Sequence, residues 1–145
     1  MIRFSLPLPP KELSPNSGER HWSSKVQFQE SYKRECAYTM RALRLSAVTS
    51  PCHLTLSFRY KPRAKTQKSD GLYRPLDCDN AIASCKYMID AMVAVGLIKD
   101  DTYKYVAMLT AEIIANHTVL CDEVMVTVTP LKGEEEENDT LATTI

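Results

Sequence analysis

Hydrophobic and polar side chains alternate along two segments in the first half of the chain, which is the pattern of β-strands. Residues 2–8 alternate Ile, Phe and Leu with Arg, Ser and Pro, and their prolines favour a place near a sheet edge or a strand end. Residues 53–61 alternate more strongly, which predicts a strand with one buried face. That face consists of Leu54, Leu56, Phe58 and Tyr60.

Two longer segments have the three- and four-residue spacing of apolar side chains that is typical of helices. The first, residues 21–44, has an apolar stripe formed by Val26, Phe28, Tyr32, Cys36, Met40 and Leu43. The second, residues 79–95, has a stripe formed by Ile82, Cys85, Ile89, Met92 and Val93. Asp79 or Asn80 suits the N-cap of this second helix, and Gly96 suits the position just after its C-terminal end.

The pattern returns to strands in the last third of the chain. Residues 103–116 and 121–131 predict two strands that form an antiparallel hairpin, with Val124, Val126 and Val128 on the buried face of the second. The order is then β-α-β-α-β-β, an α+β fold in which a small mixed sheet packs with two helices. Residues 1–132 are predicted to be one domain, and residues 133–145 an acidic, disordered tail.

Composition and charge narrow the class of protein. The chain has 44% hydrophobic and 25% charged residues, values that exclude a disordered or collagen-like chain. Its 18 basic and 18 acidic residues cancel, but residues 134–139 hold five of the acids, so the remainder carries 18 basic and 13 acidic groups, a net charge of +5. A basic body suits a polyanionic partner. With neither a membrane-length apolar run nor a signal peptide at the N-terminus, the expected location is the cytoplasm.

A group of carboxylates around the second predicted helix is the strongest candidate for chemistry. Asp77 and Asp79 lie two residues apart at its start, and Asp100 and Asp101 follow the turn after its end. Two charges about 4 Å apart repel by roughly 4 kcal/mol at an effective dielectric constant near 20, so a cluster of carboxylates requires a cation. A site made only of oxygen ligands favours Mg²⁺, Mn²⁺ or Ca²⁺. Two such ions side by side would activate a water molecule and stabilise the leaving oxygen in phosphodiester hydrolysis. The alternative is that these carboxylates do not meet, and that Asp79 caps the helix while Asp100 and Asp101 form a turn.

Lys86 lies two helical turns after Asp79 and on the same face of the helix. Near a metal site, its ammonium group would hold the scissile phosphate or offset negative charge in the transition state. The alternative is an ordinary ion pair with Asp90, four residues further on.

Basic residues recur at every second position just before the carboxylates, which predicts a surface that follows DNA phosphates. On a strand that continues into a flexible loop they would all face one way. The alternative is a solvated edge strand that its charges protect from aggregation. The row consists of Arg59, Lys61, Arg63 and Lys65, with Lys68 and Arg74 after it.

The string RPLDCDNAIASCKYMIDAMVAVGLIKDD resembles the motif of the RusA family of Holliday-junction resolvases, in which DxDN is followed by a helix with a lysine and an aspartate, then by a glycine turn into DD. The opening LPLPPKELSPNSGERHW is similar to that family's start, and the resemblance covers roughly residues 3–130. One position differs: where a shorter form of the family pattern has its lysine, this chain has Ala83, and Lys86 matches only after a three-residue insertion.

The resemblance implies a small α+β homodimer with Mg²⁺-dependent endonuclease activity, with Mn²⁺ as a substitute, that cuts four-way DNA junctions by paired symmetric nicks in recombination and repair. The acidic triad of the family then falls on Asp77, Asp79 and Asp101, with Asp100 adjacent, and its catalytic lysine falls on Lys86. Such proteins act in the cytoplasm of a bacterial or phage-infected cell. Two other functions fit the same residues: a branched-DNA-binding dimer with weak catalysis, and a metal-dependent hydrolase of nucleotides.

Overall fold

Four strands and two helices follow one another in the predicted order. A computed structural model of the chain describes residues 1–13, 22–61, 78–114 and 121–132. Its fold is α+β, with a mixed sheet packed against two helices. The elements are β1 (Ile2–Leu6), α1 (Trp22–Ala42), β2 (Cys52–Arg59), α2 (Cys78–Ala94), β3 (Val106–Ile114) and β4 (Glu123–Pro130), with a short 3₁₀ turn at Lys11–Leu13.

The strands lie side by side in the order β1-β4-β2-β3. β2 and β3 are parallel and are joined by α2, whereas β4 is antiparallel to both β1 and β2. The predicted antiparallel hairpin of the last two strands is therefore wrong, because β2 lies between them. The reason is the crossover through α2, which brings the chain back to the start of β2 and places β3 parallel to it. β4 then pairs on the other side of β2.

The core lies between the sheet and the helices. The predicted buried face of β2 is confirmed, since Leu54, Leu56 and Phe58 are 0% exposed and Tyr60 is 2% exposed. In β4 the predicted valines are also completely buried. The register places Leu56 opposite Val126, so the apolar faces of β2 and β4 form one continuous surface. This surface supports the helices.

The helices bury stripes that differ in part from the predicted ones. α1 buries Tyr32, Cys36 and Met40 as predicted, but Leu43 is 50% exposed. In α2, Ile82 is 55% exposed and does not belong to the core. The predicted Cys85, Ile89 and Met92 are buried, and the rest of the buried face of α2 consists of Ala81, Ser84, Met88 and Ala91. Ser84 fits there because its hydroxyl donates a hydrogen bond to the carbonyl of Ala81, at 2.8 Å.

Both ends of α2 are well defined by their local chemistry. The helix includes Cys78, so Asp79 and Asn80 lie in its first turn rather than at the N-cap. The negative charge of Asp79 is stabilised there by the positive end of the helix dipole. At the other end, Gly96 has a φ of 77°, as predicted for the residue after a helix. The amide of Leu97 donates to the carbonyl of Met92, at 2.9 Å, which completes a Schellman turn.

The acidic tail predicted for residues 133–145 lies outside the described residues. In the part of the chain that the structure describes, neither helix is sufficiently long and apolar to cross a membrane.

Candidate functional site

The outward face of α2 carries the first candidate residues. Asp79 is exposed in the first turn, and the side chain of Lys86, two turns later, is 68% exposed. The ammonium group of Lys86 lies 3.5 Å from a carboxylate oxygen of Asp90. The ion pair that was the alternative interpretation of Lys86 is therefore present. It leaves most of the lysine accessible, so the pair does not prevent a contact with a phosphate.

Asp100 and Asp101 lie at the opposite end of the helix. The amides of Leu97 and Ile98 both donate to the carbonyl of Met92, which holds the chain against the last turn of α2. Ile98 also forms a bridge with Val48, just before β2 begins. Asp100 then accepts a hydrogen bond from the amide of Asp101, at 2.9 Å, in an exposed turn that leads toward β3.

The length of α2 keeps these carboxylates apart. Thirteen residues separate Asp79 from Met92, or about 20 Å along the helix axis at 1.5 Å per residue. Among the described residues, no group of three or more histidine, cysteine or acidic side chains is placed to hold a metal ion. Asp77 lies outside these residues. The expectation that a strand after the turn would carry Asp101 to the first carboxylates within one chain is not met, because Asp101 precedes β3 at its far end.

The carboxylates are of the type that binds a hard metal ion, but within one chain they lie too far apart to share one. Exposed carboxylates are ligands that Mg²⁺ and Mn²⁺ prefer. Asp79 on one side and Asp100 with Asp101 on the other do not converge in a single chain. Among the described residues, this set therefore does not form one metal site within a single chain.

The basic row begins with a residue that already has partners. Arg59 lies opposite Glu123 in the antiparallel register of β2 and β4, and their nearest charged atoms are 3.9 Å apart. Glu123 also accepts a hydrogen bond from the hydroxyl of Ser5, at 2.7 Å. The side chain of Arg59 is only 20% exposed. β4 therefore supplies an acid beside Arg59, whereas the predicted hairpin had placed β4 elsewhere; the Nε atom of Arg59 is buried and has no hydrogen-bond partner among the described residues.

Lys61 is the first exposed member of the row, just after β2. Its backbone amide donates to the carboxylate of Asp122, at 2.9 Å, which fixes the chain as it leaves the sheet while the ammonium group stays in solvent. The other predicted DNA contacts lie outside the described residues, and these are Arg63, Lys65, Lys68 and Arg74.

An exposed strand edge was missed in the sequence. β3 pairs with β2 on one side and forms the edge of the sheet in the part of the chain that the structure describes. Met108 and Leu109 on this strand are 53% and 43% exposed. Their apolar side chains were assigned to a hairpin, so nothing in the pattern suggested an open edge. An edge of this kind is a surface on which another strand can pair.

The buried thiols belong to the core. Burial raises the pKa of the Cys36 thiol to about 11 and that of Cys85 to about 12, so both are protonated at neutral pH. Cys85 donates a weak hydrogen bond to the carbonyl of Ala81. A protonated, buried thiol is a poor nucleophile and a poor metal ligand.

A scan of the sequence against protein-family models finds no match, and a search of curated proteins finds no significant match.

Proposed function

We propose that the protein is a structure-selective DNA endonuclease that uses Mg²⁺, or Mn²⁺ in its place, to cut four-way junctions by paired phosphodiester hydrolysis. One observation carries the proposal. Asp79 and Lys86 are exposed on one face of α2, and a partly exposed Asp100 and an exposed Asp101 lie beyond its far end, in the order of the resolvase motif that the sequence resembles.

A homodimer accounts for the separation of the two acidic groups. α2 packs against β3, whose outer edge is open among the described residues. A second copy that pairs antiparallel with this edge continues the sheet across a two-fold axis. The two α2 helices then run side by side in opposite directions. Each Asp79 comes next to Asp101 of the partner subunit, and the dimer has two equivalent acidic sites.

Each residue has a distinct role in such a site. Asp77 and Asp79 from one subunit, with Asp101 of the partner subunit and the adjacent Asp100, would hold the metal ions. Bound Mg²⁺ would supply activation of a water molecule and stabilisation of the leaving oxygen. Lys86 places a positive charge on the same face as Asp79, where it holds the scissile phosphate and offsets the charge that develops on it.

The symmetry of the dimer matches the symmetry of the substrate. A four-way junction offers two equivalent strands for cutting, and a two-fold dimer presents two equivalent sites to them. The net charge of +5 outside residues 134–139 attracts the DNA arms. Lys61 and the basic residues that follow it in the sequence are the proposed contacts with these arms.

A second candidate function is a branched-DNA-binding dimer with weak catalysis. The ion pair of Lys86 with Asp90 favours it, because a lysine held by a carboxylate has less positive charge to offer a phosphate. Junction binding without nicks in either Mg²⁺ or Mn²⁺ would support this candidate over the endonuclease.

The test is an end-labelled synthetic four-way junction beside a linear duplex of matched sequence. We expect paired symmetric nicks in the junction alone, with Mg²⁺ present, and none after addition of a chelator. Asp79→Asn should remove cleavage and keep junction binding, because Asp79 is exposed and supports no core contact. Undiminished cleavage by Asp79→Asn would contradict the assignment.

A further inference from the structure

A row of three exposed side chains on α1 has no role in the proposed cleavage site. Arg34, Tyr38 and Arg41 are four and three residues apart, so they lie on one face of the helix. Tyr38 is 75% exposed, and both arginines are exposed. Neither guanidinium group has an ion pair or hydrogen bond among the described residues. An exposed tyrosine between two free guanidinium groups is a combination that binds nucleic-acid strands.

The row borders a groove between the two helices. The groove has a volume of about 290 Å³, with Arg34 and Arg41 on the side of α1 and the small side chains of Ala91 and Ala94 on the side of α2. Asp90, which also lines it, is paired with Lys86. Glu30 and Lys33 line it too and are paired with each other. The groove therefore adjoins the lysine of the proposed site.

The two acids of α1 nearest to the row do not cancel its charge. Glu30 lies 2.9 Å from Lys33 and is paired with it. Glu35 is exposed and directly follows Arg34 in the sequence, so its side chain points about 100° away around the helix. Arg34 and Arg41 are thus left as cations without acidic partners in the described residues.

We propose that Arg34, Tyr38 and Arg41 form a second DNA contact surface, in which the arginines bind phosphates of a junction arm and Tyr38 packs on a sugar or an unstacked base. This proposal rests on the proposed function. Seven residues of helix span about 10.5 Å, which is the axial rise of about three phosphates on one DNA strand. The surface therefore matches one strand of an arm.

The position of α1 in the fold fits this role. The hydroxyl of Tyr32 donates to the carbonyl of Pro7 after β1, and Gln29 donates to the hydroxyl of Tyr87 on α2. α1 therefore lies between α2 and the β1 side of the molecule, away from the β3 edge. In the proposed dimer, the α1 helices flank the two cleavage sites on the outside, where DNA arms leave the branch point.

The experiment measures binding of a fluorescent four-way junction in chelator, so that no cleavage interferes. The test variant is Arg34→Gln/Arg41→Gln, and the matched control is Arg3→Gln/Lys132→Gln, which removes the same charge from exposed positions on β1 and after β4. Each phosphate contact contributes about 0.9 to the slope of log affinity against log salt. We expect the test variant to lower that slope by about 1.8 and to bind about 60-fold more weakly at 0.1 M salt, with little change in the control.

Tyr38 provides a second measurement that does not change charge. Tyr38→Ala should weaken binding at least about fivefold, and Tyr38→Phe should restore it, because stacking needs the ring and not the hydroxyl. Thermal unfolding should be unchanged in all these variants, since the side chains are exposed.

The outcomes separate this inference from the proposed function. Tight junction binding by the wild-type protein, with the α1 double variant no weaker than its control, would overturn the inference and leave the endonuclease proposal standing. Absence of junction binding by the wild-type protein would overturn both.

Discussion

The ion pair between Lys86 and Asp90 allows the chemical role of the lysine to be separated from its structural role. The pair is 3.5 Å long, and the lysine side chain is 68% exposed. Exposed pairs at this helical spacing stabilise a protein by only about 0.3–0.5 kcal/mol. Lys86→Gln should therefore lower the free energy of unfolding by no more than about that amount.

Its effect on cleavage should be far larger. If Lys86 offsets charge on the scissile phosphate, its loss should slow cleavage about 100-fold, the lower end of the range for losing one such electrostatic contact. The matched control is Lys33→Gln on α1. This substitution also removes one positive charge, and it breaks the ion pair between Lys33 and Glu30, whose charged atoms are 2.9 Å apart on the same helix. Lys33 lies outside the proposed cleavage site, so the control should retain its cleavage rate.

The assay is single-turnover cleavage of an end-labelled four-way junction, with protein in large excess so that differences in affinity do not enter the rate. Urea unfolding of the same samples gives the stability change. Equal cleavage rates for Lys86→Gln and Lys33→Gln would refute the role of Lys86. A large loss of stability in Lys86→Gln would show that the slower rate reflects damage to the fold.

Two further predictions concern the fold. Gly96→Ala should destabilise the protein by about 1–2 kcal/mol in urea unfolding, because the residue has a φ of 77° while an added Cβ meets no atom within 4 Å, so the cost is one of backbone conformation alone. Unchanged stability would contradict it. Stability should also fall above about pH 8.5, where thiols ionise in the unfolded chain, while Cys36 and Cys85 stay protonated in the fold up to pKa values of about 11 and 12. By pH 10 each thiol should cost about 1.4–2 kcal/mol, and Cys85→Ala should show a shallower decline between pH 8 and 10 than the wild-type protein. An equal decline in both proteins would contradict this cause.

Features of the fold that depend only on residues close together in the sequence were predictable. The alternation in β2 predicted its buried face, and Gly96 predicted the end of α2, because each depends on neighbours in the sequence. The pairing of β3 was not predictable in the same way. Two strands that follow one another favour a hairpin, but the parallel crossover through α2 places β2 between them.

The candidate site shows the same limit. The sequence brings Asp79, Lys86 and Asp101 into one motif, but it contains no measure of distance across the fold. The predicted helix already put Asp79 and Asp101 at opposite ends of α2. What the pattern did not show is that β3 begins at Asp101's end, so that no element of the same chain carries Asp101 back to Asp79. The acid beside Arg59 was not predictable for a related reason, since Glu123 becomes its neighbour only through the register of β2 and β4. Ile82 lies one position from the true buried face of α2, a shift of about 100° around the helix.

A heterodimer of two inactive variants tests whether each acidic site is shared between two subunits. Asp79→Asn and Asp101→Asn chains, each with a different affinity tag, are co-expressed, and the heterodimer is purified through both tags. In a shared site, one of the two sites then combines both substitutions and the other has neither. We expect each homodimeric variant to be inactive and the heterodimer to nick one strand of a four-way junction. An inactive heterodimer, beside active wild-type protein carrying the same two tags, would contradict the claim.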